Sequence, residues 1–256
     1  MNRSILAKSI PCVVALLMPF GVGFSQSFDE LLTQGDLCDK EFRPAEALKF
    51  YLPAEKQEPE NVDVLLRIAR QYRHLFADTD GHDDKIKLGA TGLEYAERAV
   101  SLDPKDPETY LSVAISHVKM VPMLDSKEKM EASRQIKVFV DKAIALDPEK
   151  DLAWHILGCW HQRLAGVGMM KRTLAVLVYG GLPSATNEEA VKCFEKAIKL
   201  KSDRLIHYIE LGRTYAQMGK VAEAQMFIKK GLAMPNLGKD DPDAKVRGRE
   251  TLAALQ

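Results

Sequence analysis

A chain of 256 residues with 36 basic and 36 acidic side chains is long enough to bury a substantial core and carries no net charge. Neutrality leaves no basic face for a phosphate backbone, so no nucleic-acid partner is expected, and nothing steers the chain toward an acidic polymer. Its 16 glycines and 12 prolines are scattered rather than clustered, which excludes a long low-complexity linker.

Residues 1–25 differ from the rest. Arg3 and Lys8 precede the apolar run Pro11 to Phe24, no acidic residue occurs before Asp29, and Gly23 and Ser25 place small residues before Gln26. This anatomy predicts a secretory signal peptide over 1–25, cleaved near Ser25/Gln26, and therefore an exported chain, periplasmic or secreted. A mitochondrial targeting segment or a membrane anchor is the alternative, although Pro11 and Pro19 break a run shorter than the ~20 residues a span needs. Removing Arg3 and Lys8 takes the net charge from 0 to about −2 and leaves no stable membrane span. Cys12 leaves with the segment. Cys38, Cys159 and Cys193 remain, with no Cys-x-x-Cys pair, and read as buried helix residues rather than a disulfide or zinc framework.

Residues 26–256 read as one domain built on a repeat. YAERAVSLDP (Tyr95 to Pro104), VDKAIALDP (Val140 to Pro148) and FEKAIKLKS (Phe194 to Ser202) share an Ala-centred helix end followed by Pro or a substitute. This resembles the second helix of the tetratricopeptide repeat, a helix-turn-helix unit of about 34 residues. In chain order, the first unit places Phe28, Leu31, Gly35, Ala47, Tyr51, Ala54 and Pro59 on pattern positions. The second has Leu65, Ile68, Ala69 and Tyr72, then an inserted loop containing ADTDGHDD, then Tyr95 and Ala99. The third has Tyr110, Val113, Ala114 and His117, an excursion through MVPMLDSKEKM, then Val140 and Ala143. The fourth has Trp154, Leu157, Gly158 and His161, the apolar stretch Leu164 to Thr186, then Ala190, Phe194 and Ala197. Thr186 with Glu189 is a capping-box pattern that restarts the helix there. The fifth, again of standard length, has Leu205, Tyr208, Leu211, Gly212, Tyr215, Ala224, Ile228 and Gly231. A polar helix over roughly Asp243 to Leu255 is expected to cap the last open face. The fold class is thus all-α: a solenoid of about five helix pairs, with insertions in the middle three and a C-terminal capping helix.

Solenoids bind along the concave face, lined by the first helix of each unit. The inward positions free of packing duty are Leu66, Arg70 and Arg73, then Leu111, Ile115 and Val118, then His155, Cys159 and Gln162, then Ile206, Ile209 and Arg213. An apolar groove left open to water is a liability, so a cover is expected. Met169 to Tyr179 forms about three helical turns, apolar on nearly every face except Lys171 and Arg172. It either completes the core over the groove or forms a lid, through Leu174, Leu177 and Val178, over a cavity for a phospholipid or other apolar ligand. In the second case Lys171 or Arg172 meets the anionic head group.

Three stretches carry a more specific resemblance: VLLRIARQYRHL with GLEYAERAVSLDP, HILGCWHQRLAGVGMMKRTLAVLVYGGLPSATNEEAVKCFEKA, and ELGRTYAQMGKVAEAQMFIKKGL. They are similar to the regulator of microtubule dynamics family, tetratricopeptide-like proteins known in animals, over most of Phe28 to Leu255, insertions included. The solenoid is expected to be a binding scaffold that recognises a protein partner through its concave face or loops. For animal members the resemblance implies microtubule association, a mitochondrial or reticulum location and, in one branch, a phospholipid cavity. An export signal would make this chain an exported, bacterial-type relative, away from microtubules.

Catalytic and metal signatures are missing. The six histidines form no His-Glu-x-x-His set, and His82 among Asp78, Asp80, Asp83 and Asp84 lacks the Gly and distal Glu of an EF-hand. There is no P-loop or nucleophile elbow, and His155 and His161, six apart on one helix, point to different faces. A non-enzymatic protein without metal or cofactor is expected.

Overall fold

Ser27 opens the first helix with a reciprocal capping box, its hydroxyl accepting from the Glu30 amide while the Glu30 carboxylate accepts from the Ser27 amide. The computed structural model describes residues 26–168, 181 and 183–256. These form α1 (Phe28–Lys40), α2 (Pro44–Gln57), α3 (Val62–Asp78), α4 (His82–Leu102), α5 (Pro107–Met120), α6 (Ser126–Leu146) and α7 (Asp151–Ala165). They continue as α8 (Asn187–Leu200), α9 (Leu205–Gln217), α10 (Val221–Ala233) and α11 (Asp241–Ala254), with a single 3-10 turn at Val121–Met123. No strand occurs among the described residues. The five expected helix pairs and the cap are all present, the cap starting two residues earlier than the sequence suggests, at Asp241.

The ADTDGHDD stretch is not an inserted loop. α3 and α4 run for 17 and 21 residues, so the extra length goes into helix, and only Thr79–Gly81 separates them. The same holds for most of MVPMLDSKEKM: Asp125 caps α6 with a box closed by Glu128, and α6 is also 21 residues long. Gly81 and Pro122 confine each break to a few residues, and helix restarts at once after the N-caps Gly81 and Asp125. At α8 the box is half formed. Thr186 accepts from the Glu189 amide at 3.1 Å, but the Glu189 carboxylate takes Lys192 at 2.7 Å instead of reaching back.

Within each unit the two helices pack together, and consecutive units touch chiefly where each second helix meets the next first helix (α2 with α3, α4 with α5, α6 with α7, α8 with α9) and also through first helices. α3 meets α5, α5 meets α7, and α7 meets α9, whereas second helices make no comparable contact with one another. The row α1, α3, α5, α7, α9 is therefore the inner, concave side of the curve, and α11 closes its end against α9 and α10. The largest core cluster sits mid-solenoid, where Leu111, Ile136, Val140, Leu157, Trp160 and Cys193 pack together. The Trp160 indole donates to the Ser133 carbonyl at 2.8 Å. The described ends of the apolar stretch enter this cluster through Leu164, Val167 and Ala185; Met169 to Tyr179 lies outside the described residues, as does the expected signal peptide.

The two standard-length units turn alike. The middle residue of each three-residue connection has a left-handed backbone, Phe42 at φ 55° and Gly219 at φ 73°. A β-carbon on Gly219 would meet nothing within 4 Å, so its substitution isolates the backbone term. Gly219→Ala should cost about 1 kcal/mol of unfolding free energy, read from the shift in urea midpoint; no loss would show that the turn relaxes out of the left-handed region.

Candidate functional site

The inner helices are joined by polar side chains at three places. Between α1 and α3, Asp36 accepts from the Tyr51 hydroxyl at 2.6 Å and from Arg67 Nε at 2.8 Å. Burial alone would raise the Asp36 carboxyl, but these two donors and the Arg67 charge outweigh it and hold it below its usual value. Asp39 takes Arg70 at 2.6 Å and the Gln71 amide at 2.8 Å. Between α3 and α5, Arg73 Nη1 donates to the Ser112 hydroxyl at 2.9 Å, the Ser116 hydroxyl at 3.2 Å and the Ser112 carbonyl at 3.4 Å.

The third place, between α7 and α9, is a chain of four side chains. His207 Nε2 lies 3.0 Å from Asp151 Oδ2, His207 Nδ1 lies 3.1 Å from His155 Nδ1, and His155 Nε2 lies 3.5 Å from Cys159 Sγ. One proton arrangement satisfies every link with both rings neutral. The thiol donates to His155, His155 Nδ1–H donates to His207, and His207 Nε2–H donates to the carboxylate. Arg204 adds a cation to Asp151 at 2.9 Å. Farther along, Gln162 Nε2 donates to Thr214 Oγ1 at 2.9 Å and the Glu210 carbonyl at 3.0 Å. The nearly buried Glu210 carboxylate is held by Arg213 at 2.6 Å and by Arg247 of α11 at 3.2 Å.

A thiol, an imidazole and an acid in line is the order of a nucleophilic site, but the protonation states are wrong for one. Burial pushes the Cys159 thiol up to about 12, and burial above all holds His155 well below its usual value. The resting pair is neutral thiol and neutral imidazole, which joins two helices without activating sulfur. Sequence spacing offers His155 no partner but His161. The true partner, His207, is 52 residues away, and no spacing signal links them.

The inward positions divide by burial. Arg73, Leu111, His155, Gln162 and Ile209 are buried by the next inner helix or by α11. Leu66, Ile115, Val118, Cys159, Ile206 and Arg213 are half-buried, and Arg70 is exposed. Lys171, Arg172, Leu174, Leu177 and Val178 lie outside the described residues. The Asp78 to Asp84 stretch holds no cation cage: Asp78 pairs with Lys239, and among the described residues no group of three or more His, Cys, Asp or Glu is placed to hold a metal. No described helix is long and apolar enough to cross a membrane.

The helix pairs, the inner row and the cap define a tetratricopeptide-like helical solenoid. Solved structures share the fold: a thermophilic TPR protein of Thermus thermophilus superposes with a TM-score of 0.66 at 18% identity, covering 89% of this chain and 100% of that one. MamA of Desulfovibrio magneticus does so with a TM-score of 0.52 at 12% identity, covering 80% and 93%. The model of the family Regulator of microtubule dynamics protein 1-3 matches residues 24–256, and the chain belongs to that family. It is 22% identical to Regulator of microtubule dynamics protein 2 of Bos taurus over 232 residues, 90% of this chain and 57% of that protein. It is 26% identical to protein 1 of Mus musculus, over 89% and 74%, and 24% identical to protein 1 of Caenorhabditis elegans, over 79% and 91%. The chain spans 57% of the bovine protein 2 and 38% of the bovine protein 3.

Proposed function

We propose that the protein is a non-catalytic scaffold that takes a protein partner along its concave face. The observation that carries this is the inner row itself. First helices meet across units while second helices do not, and the row presents Leu66, Ile115, Val118 and Ile206 half-exposed between Arg70 and Arg213. Half-exposed aliphatics framed by arginines suit an extended segment that buries apolar side chains and fixes its register through charge. The uncharged Cys159–His155 pair supports a binding rather than a chemical role.

The test is site-specific photo-crosslinking in the native host. A photoreactive residue at Ile115 or Ile206 should capture one and the same partner, with cross-links mapping to one segment of it. The same residue at Val138 or Met226, both more than half exposed on second helices, should not. Capture of that partner from Val138 or Met226 but not from the inner positions would overturn the concave-face reading.

A further inference from the structure

The inner face carries one charge that its own chain leaves uncompensated. Arg73 is only 9% exposed, yet its guanidinium is held by two serine hydroxyls and a carbonyl, and among the described residues no carboxylate lies within ion-pair distance of it. The other arginines of this face are paired, Arg67 with Asp36, Arg70 with Asp39, and Arg213 with Glu210. A desolvated cation without a counter-ion is costly, and neutral hydroxyls offset only part of that cost. Burial, with repulsion from Arg70, pushes Arg73 down to about 10, still charged at neutral pH. The neighbouring His74 has a buried Nδ1 with no hydrogen-bond partner.

The nearest relief comes from the segment between α10 and α11. Lys239 pairs with Asp78 at the end of α3 at 2.8 Å, and Asp240 pairs with Lys119 at the end of α5. Two adjacent residues of opposite sign thus tie the C-terminal segment across to the second and third units, 161 and 121 positions away in the chain. Asp240, with Glu108, attracts the Arg73 charge without reaching it, and Asp240 also acts on His74. Counting local charges, Arg70, Lys119 and Lys239 are each matched by Asp39, Asp240 and Asp78, and Arg73 is left over.

We propose that Arg73, beside Arg70 and Lys119, is the binding site for an oxyanion carried by the partner, a carboxylate or phosphate, and that Asp240 is an internal anion which that group displaces. This rests on the concave-face reading and names what the partner must offer there. A guanidinium suits the role because its planar fork can give two parallel hydrogen bonds to one oxyanion. Displacement frees Lys119 to join Arg73 and loosens the tie to α11, so engagement of the anion and opening of the C-terminal end are one event.

The experiment titrates the full chain with inorganic phosphate and, separately, acetate, at ionic strength held constant with chloride. The readout is the Arg73 side-chain Nε resonance, assigned by its loss in Arg73→Met. A saturable shift is expected with one or both anions, and the anion that saturates at lower concentration identifies the class. Asp240→Asn should tighten binding about fivefold, equivalent to ~1 kcal/mol. Arg73→Lys, followed instead through the backbone amide resonances of its hydrogen-bond partners Ser112 and Ser116, keeps the charge without the fork and should bind more weakly. It remains informative if Arg73→Met fails to fold. Absence of a saturable shift in both wild type and Asp240→Asn, or an unchanged affinity in Arg73→Lys together with Asp240→Asn, overturns the site. Inner-face cross-links that persist in that case leave the scaffold reading standing, whereas a saturable Arg73 shift with cross-links only from second helices does the reverse.

Discussion

Phe194→Ala should lower the unfolding free energy by roughly 3–5 kcal/mol, the largest loss expected of any single substitution here. The ring is fully buried on α8 and lies against the α7 backbone, where a β-carbon on Gly158 would come within 2.8 Å of Cε1 and 2.9 Å of Cζ. Ring and glycine are therefore one device, and they should not behave additively. Gly158→Ala alone overpacks the contact, at a cost of ~1–3 kcal/mol against a gain of at most ~1 kcal/mol in helix propensity. In the Phe194→Ala background the clash is gone, and the same change should stabilise by about 0.5–1 kcal/mol. A double-mutant cycle by urea unfolding reads the sign change, and additive costs would mean that the helices separate rather than hold this approach. The equivalent cycle in the fifth unit should come out differently. A β-carbon on Gly212 meets Ile228 Cγ1 at 2.6 Å but also the Ala224 carbonyl oxygen at 2.9 Å, and backbone does not yield when Ile228 is trimmed. Gly212→Ala should stay destabilising in an Ile228→Ala chain.

That difference shows what the sequence can and cannot convey. The small-residue positions, the Ala-centred second helices and the terminal prolines are local signals, and they place all five pairs and the cap. In the first unit the pattern is displaced: Leu32 stands where Gly158 and Gly212 stand, and Gly35 occupies the position of Tyr72, His161 and Tyr215. The Tyr51 ring fills the space, 2.3 Å from where a β-carbon on Gly35 would be, an exchange of bulk between helices that only the packed pair reveals. Loop and helix are hard to tell apart at ADTDGHDD because acidic residues suit both a solvated loop and a helix N-terminus, and Asp83 and Asp84 stand in the first turn of α4. The polar joints are beyond reach for another reason. Arg73 with Ser112, His155 with His207, and Lys239 with Asp78 are 39, 52 and 161 residues apart, and their meeting depends on the pitch of the solenoid, which no single unit encodes. For the same reason, inward positions counted along one helix read as a free groove, although Leu111, Ile209 and His155 are consumed by the next unit or by α11.

Acidification should unfold the protein more readily between about pH 6.5 and 4, and the histidines are the cause. Burial holds His74 down at about 4 and His155 well below its usual value; His117 and His161 are lowered for the same leading reason. A buried neutral imidazole binds its proton less readily than the unfolded chain does, so its contribution is complete above the unfolded value near 6.5 and is lost as pH falls toward the folded value. For His74 the loss is ~1.4 kcal/mol per pH unit, or about 2 kcal/mol by pH 5. The depressed carboxyls Asp36 and Asp151 act in the same direction but only below their unfolded values near 3.8, so they do not blur the window. Urea midpoints should therefore fall steeply from pH 7 to pH 5, and His74→Asn should flatten that slope by about one histidine's share while leaving α7 and α9 joined. A wild-type midpoint that is constant over this range would mean that the imidazoles reach water in the native state, and the Asp151–His207–His155–Cys159 chain would then have to be open rather than sealed between the two helices.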